Sequence, residues 1–174
     1  LYNKSAKALR NDDLVESEKL YYQSLKTYPI RFSAHSLAIK KMETTNILAN
    51  NPNLKSWVEV PANSDFPIQN LPFGIFKTRS QSERVGVRIG NQVLDLKALY
   101  VLGYLENLPF EASDFENKFL NDLMGKGKKA TRDLRNRISK LLSHDFEDLK
   151  VNQHHVDQVL IAADKIDMCL PIRI

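Results

Sequence analysis

The residues of this chain that could do chemistry are few and lie apart. His154-His155 is the only adjacent histidine pair. Neighbouring side chains on a helix or strand point in different directions, and no cysteine or carboxylate cluster completes a set at metal-ligand spacing. Both are expected as surface or loop histidines. Cys169, the single cysteine, has no histidine or cationic neighbour in sequence to lower its pKa, so a buried or half-buried structural thiol is expected rather than a nucleophile. Gly125-Lys126-Gly127-Lys128-Lys129 has the composition of a phosphate loop without the G-x-x-x-x-G-K-[S/T] frame, and it does not follow a strand. A helix stop followed by a helix start explains it better. No catalytic, cofactor-binding or metal-ligating residue is assigned.

Two further stretches carry polar chemistry. Residues 126–140 are dense in Lys and Arg, with Asp133 as their only acid. A face for anionic ligands or nucleic acid is one reading. The stretch has no interleaved aromatic to stack bases, so a solvated helix face balanced by acids elsewhere is the expectation. The net charge of +4 gives no support to nucleic-acid binding once it is divided along the chain. Residues 1–41 hold eight Lys/Arg against four Asp/Glu, and residues 42–174 hold seventeen of each. In Ser64-Asp65-Phe66-Pro67, Asp65 and Asn70 are expected as turn formers rather than as an active-site loop. Phe66, Ile68, Leu71 and Phe73 are expected as core or interdomain anchors.

The elements that must hold these residues follow from period and punctuation. The run S-D-F-P-I-Q-N-L-P-F-G-I-F, residues 64–76, can be neither a plain helix nor a plain strand. Pro67 and Pro72 lack amide hydrogens and push the preceding residue towards extended geometry, and Gly74 can adopt positive φ. Residues 57–60 form a short strand candidate ended by Pro61. Strands are expected at 74–78 and 84–89, the latter folding back on 92–96 across Gly90-Asn91. Val85, Val87 and Ile89 share one face, with Val93 and either Leu94 or Leu96 opposite. Helical spacing then takes over. Leu99, Leu102 and Leu105 mark a helix over 97–105. Ser113 to Glu116 form a capping box opening a helix that ends near Met124-Gly125. A helix over 128–143 carries Ala130, Leu134, Ile138, Leu141 and Leu142 on one stripe, with Arg132, Arg135 and Arg137 outside it. Val156, Val159 and Leu160 start a further turn, and 166–174 is extended around Pro171.

Four blocks in order resemble the N-terminal part of the fumarylacetoacetase family: residues 64–76, V-G-V-R-I-G-N-Q-V-L-D-L at 85–96, F-L-N-D-L-M-G-K-G at 119–127, and D-M-C-L-P-I-R-I at 167–174. The resemblance covers roughly residues 50–174. It implies an α+β fold, a small Src-homology-3-like β-barrel with packed helices, over 57–174. It also implies a homodimeric enzyme with its own C-terminal catalytic domain, calcium and magnesium, and hydrolysis of 4-fumarylacetoacetate to fumarate and acetoacetate. The single cysteine fits a reducing compartment, and a cytoplasmic location is expected. In that family the reacting groups lie in an aspartate-tyrosine-threonine-aspartate-phenylalanine motif, a following histidine and later carboxylates. None has a matching position here, so this chain alone is expected to lack hydrolase activity and to hold no metal.

Residues 1–41 form a helical appendage in this reading, and 42–56 a polar linker. Residues 11–29 resemble the second half of a tetratricopeptide repeat, with small Ser17 and Ser24 beside Tyr21 and Tyr22. A single amphipathic helix is the simpler reading, because one repeat cannot bury its own apolar face. Met42 is the first methionine, which raises the expectation that 1–41 is upstream read-through or part of a fusion. No apolar run approaches the roughly 20 residues that span a bilayer, and one cysteine permits no internal disulfide; no membrane or nucleic-acid partner is expected. The alternative is a non-catalytic small-barrel interaction module with a helical-repeat N-terminus.

Overall fold

The computed structural model describes residues 47–174. The expected helical appendage over 1–41, its repeat resemblance and the first residues of the linker lie outside the described residues.

Strands β1 (Phe73–Lys77), β2 (Arg84–Ile89) and β3 (Gln92–Asp95) form a meander. β4 (Leu160–Ala162) and β5 (Asp167–Cys169) complete one antiparallel sheet in the order β4-β3-β2-β1-β5. The result is an α+β fold built on a curled five-stranded half-barrel. Alternation decides which side chains enter the core. Ile75 pairs with Val85, and Val87 with Leu94, which sets these residues and Ile89 on the inner face, fully buried. Val93 pairs with Arg88 and therefore lies on the outer face. That corrects its expected place beside Val87: across Gly90-Asn91 the register puts Leu94 there instead.

The helices cover the inner face. α1 (Leu96–Val101) starts directly at the strand end, where the Asp95 carboxylate accepts from the Ala98 amide at 3.1 Å. It stops earlier than the leucine spacing suggests, because Gly103 takes φ +82 and turns the chain. Leu105 still reaches the core from that turn. The helix expected from Ser113 to Gly125 is two: α2 (Ala112–Phe115) and α3 (Asn121–Gly125). The cap frame sits two residues earlier than expected, with the Asp114 carboxylate accepting from the Glu111 amide at 2.8 Å. The break follows from the Leu120 amide, which donates to Pro171 O at 2.7 Å instead of continuing an intrahelical ladder.

α4 (Gly127–Leu142) carries the expected stripe, Ala130, Leu134, Ile138, Leu141 and Leu142, all buried. Gly125 ends α3 and Gly127 begins α4, the stop-and-start expected of the Gly-Lys run. The carbonyls at the end of α4 need outside donors, and Ser56 and Trp57 supply them. Trp57 donates from its amide to Leu142 O and from Nε1 to Leu141 O, at 3.2 and 2.9 Å. This explains why 57–60 is not the expected strand. Its backbone caps a helix, and only Ser56 makes an isolated bridge, to Ser143. The described end of the polar linker is likewise tied down, Leu48 N donating to Asn136 Oδ1 at 3.1 Å. α5 (Gln153–Val159) buries Val156 and Val159, while Leu160 opens β4 instead of extending the helix.

Candidate functional site

The outer face of the sheet holds a hollow of about 190 Å³. Gly74 and Gly86 face each other across β1 and β2 and form its floor. A Cβ at Gly74 would come within 2.8 Å of Met168 Cε, and one at Gly86 within 2.7 Å of Phe76 and Val93. Gly74 thus leaves room for the end of the Met168 side chain, and it does not use the positive φ open to it. The walls are Phe66, Phe76, Val93 and Met168, with Arg88 at the rim.

Arginines stack on aromatic rings on both faces of the sheet. The guanidinium carbon of Arg84 lies 4.3 Å from the Phe76 ring centroid, that of Arg88 5.3 Å from Phe66, and that of Arg135 5.1 Å from Phe73. Arg88 Nε also donates to Gly90 O at 2.7 Å. Arg135 donates to Leu71 O at 2.8 Å, and burial lowers its pKa. These contacts fix the rings while leaving the hollow itself apolar. The arrangement can hold an apolar group; it offers no nucleophile, base or metal ligand.

The 64–76 lead-in positions the hollow. Ser64 Oγ accepts from the Phe66 amide at 3.2 Å, and Asn70 Nδ2 donates to Asp65 O at 2.8 Å. Asn70 is a turn former as expected, with the Ser64 hydroxyl as the second side chain. Ile68 and Leu71 go into the core and Phe73 packs against it on the inner face beside Arg135, whereas Phe66 faces the hollow. The chain reaches the sheet through Gly90 N to Phe66 O at 2.8 Å and Arg88 N to Pro72 O at 3.1 Å.

The other residues singled out from sequence lie elsewhere. His154 and His155 sit on α5, with His155 Nδ1 2.8 Å from the Tyr104 hydroxyl and His154 Nε2 2.8 Å from Gln158 Nε2. Cys169 is half-buried on β5, against the core. Several cations of 126–140 find internal partners, whereas Arg132 Nε is buried without one among the described residues. Lys126 pairs with Asp114 at 2.9 Å, Lys129 with Asp133 at 2.7 Å and Arg137 with Asp148 at 3.6 Å. Arg137 Nε also donates to Tyr104 O at 2.8 Å. Arg135 and Arg137 are thus half-buried carbonyl binders rather than free surface charges. The Asp114 hydrogen bond raises the Lys126 pKa. Among the described residues no group of three or more His, Cys, Asp or Glu could hold a metal, and no helix is long and apolar enough to cross a membrane.

Tyr104 makes a pH prediction. Burial, and then the charge of Asp148, raise its phenol pKa above the ordinary value. The folded state therefore keeps its proton where the unfolded chain has lost it. The stabilising contribution is complete below about pH 10, the unfolded phenol value, and falls away as pH rises through the folded one. Ultraviolet titration of the parent against Tyr104→Phe should show the missing phenolate transition at the high-pH end of the tyrosine set. Its loss from the low-pH end would contradict the assignment.

The hollow's signal in sequence is the in-register Gly74 and Gly86 with Arg88, which becomes visible only after strand pairing is known. Comparison with known proteins then places the whole unit. The sequence model described as fumarylacetoacetase N-terminal matches residues 69–171. The chain belongs to the fumarylacetoacetase N-terminal family. It is 41% identical over 122 residues to a fumarylacetoacetase of Caenorhabditis elegans, covering 70% of this chain and 29% of the relative. The Dictyostelium discoideum fumarylacetoacetase is 36% identical over 122 residues, with the same coverage. The Homo sapiens fumarylacetoacetase is 40% identical over 89 residues, 51% of this chain and 21% of the relative. The chain thus spans less than a third of the length of these curated relatives. The match to a fumarylacetoacetase N-terminal region does not favour the alternative of a free-standing interaction module.

Proposed function

We propose that residues 57–174 are the supporting N-terminal domain of a longer fumarylacetoacetase, of Src-homology-3-like type, acting next to a C-terminal catalytic domain. The reaction would be hydrolysis of 4-fumarylacetoacetate to fumarate and acetoacetate, in tyrosine and phenylalanine breakdown, by a cytoplasmic homodimer. Cleaving a carbon–carbon bond of a β-diketone takes a base for water, a cation to polarise the diketone and donors for the departing enolate. The described residues do not fit the calcium and magnesium implied for the full enzyme, since they provide no metal-capable cluster. No catalytic step is assigned to them. The observation that carries this reading is the family match over residues 69–171.

The test is to extend expression through the coding DNA past Ile174 and follow fumarate release from 4-fumarylacetoacetate. The extended protein is expected to be active and the 174-residue chain inactive. Activity in the short chain, or a stop codon directly after Ile174, would overturn the proposal.

A further inference from the structure

We propose that the hollow on the outer sheet face is the seat for the part of the longer protein that follows Ile174, which puts an apolar side chain between Phe66, Phe76 and Met168. The inference rests on the reading of this domain as one part of a fumarylacetoacetase, and it names the surface that reading leaves open.

Three observations converge on that occupant. The first is the way the chain leaves the sheet. β5 pairs with β1 and lays Met168 opposite Phe76, so the last strand forms one wall of the hollow. The second is the apolar line continuing from it. Met168 is 65% exposed, Leu170 79% and Ile172 48%, beside a hollow that is itself apolar. An exposed apolar surface of this kind, rimmed by polar groups such as Arg88, marks a contact site. The third is that the exit segment is held in place. Leu120 N donates to Pro171 O at 2.7 Å. Asn121 forms a reciprocal pair with the Arg173 backbone, Nδ2 to O at 2.9 Å and N to Oδ1 at 3.0 Å. The following chain is therefore launched from a fixed point at the start of α3, three to five residues after Met168 of the hollow's wall. The curated relatives are more than three times the length matched here, since 122 matched residues are 29% of the C. elegans protein. A segment tethered this closely meets the face at high effective concentration and needs little intrinsic affinity.

The glycines fit the same role. A side chain at Gly86 would fill the floor and strike Phe76 and Val93. The glycines thus let Phe76, Val93 and Met168 lie close over the strands as the hollow's walls.

Alkylation of a single thiol tests this. In a Cys169→Ser background, Met168→Cys and, as a second reporter, Leu170→Cys are made in the 174-residue chain and in the extended protein. Val151→Cys, also exposed and in the turn ahead of α5 that leads to the opposite sheet edge, is the control. In the extended protein both reporters should react about tenfold more slowly or less, because a tethered contact keeps the face covered, with the control unchanged. Equal rates in the two proteins overturn the proposal. So does slow reaction already present in the 174-residue chain, which would mean that this chain, or a second copy of it, covers the face. Fumarate release from the same samples keeps the two proposals apart. Active protein with unprotected reporters removes the docking surface alone, and protected reporters without hydrolysis remove the functional reading alone.

Discussion

Replacing Asp95 by alanine should cost this domain about 3–5 kcal/mol, the usual penalty for stranding one partner of a buried ion pair. Its carboxylate joins three elements. Oδ2 accepts from Arg84 Nε at 2.5 Å, and both side chains are about 95% buried. Oδ1 caps α1 through the Ala98 amide. Arg84 in turn binds Gln81 Oε1 at 2.6 Å and Ser82 O at 3.0 Å while lying over the Phe76 ring. Removing Asp95 leaves the guanidinium buried without its counter-charge and α1 without its cap. The conservative Asp95→Asn variant keeps a capping oxygen and should lose less. The Arg84→Met, Asp95→Leu pair should recover much of the loss, since apolar replacement of a whole buried pair is often close to neutral. Urea denaturation of the three variants separates these contributions. A loss under about 1 kcal/mol for Asp95→Ala, the range of an exposed pair, would show that the pair is not buried in solution.

This ion pair shows where sequence reading reaches its limit. The hairpin was legible because its information is local: alternating Val85, Val87 and Ile89, then a glycine turn, then a second strand. The α4 stripe was legible for the same reason, as one repeat along one helix. The break between α2 and α3 was not, because the Leu120 amide is claimed by Pro171, fifty-one residues away in sequence. Nor was the capping role of Trp57, whose partners Leu141 and Leu142 lie at the far end of α4. The hollow needs both kinds of information. Glycines, aromatics and arginines stand in plain view along the chain, but only the register Gly74↔Gly86 and the return of β5 beside β1 bring them to one face. Family resemblance rests on the local blocks, which is why it was visible before any of these long-range contacts.

Gly90→Ala is expected to destabilise by about 2–5 kcal/mol, and the reason joins the hairpin to the lead-in. The left-handed conformation costs an L-residue roughly 1–2 kcal/mol, and Gly90 sits at φ +49. Positive φ falls on Gly90 alone, Asn91 being on the ordinary side. A Cβ there would also meet Glu59 O at 2.7 Å and Val60 Cα at 3.2 Å. Those neighbours are backbone, which cannot swing aside, so overpacking adds about 1–3 kcal/mol. The displacement would press on the segment before Pro61 and strain the Gly90 amide bond to Phe66 O. Gly125→Ala is the counter-test. It has no atom within 4 Å of a Cβ and no positive φ, so it should be neutral or stabilise by up to about 1 kcal/mol through helix propensity. Equal losses at the two sites in a denaturant titration would mean that glycine content, and not the close approach of the lead-in to the hairpin turn, governs stability. Opposite signs would establish that the turn and residues 59–66 are built against each other, and hence that Phe66 is held on the outer sheet face by the backbone itself.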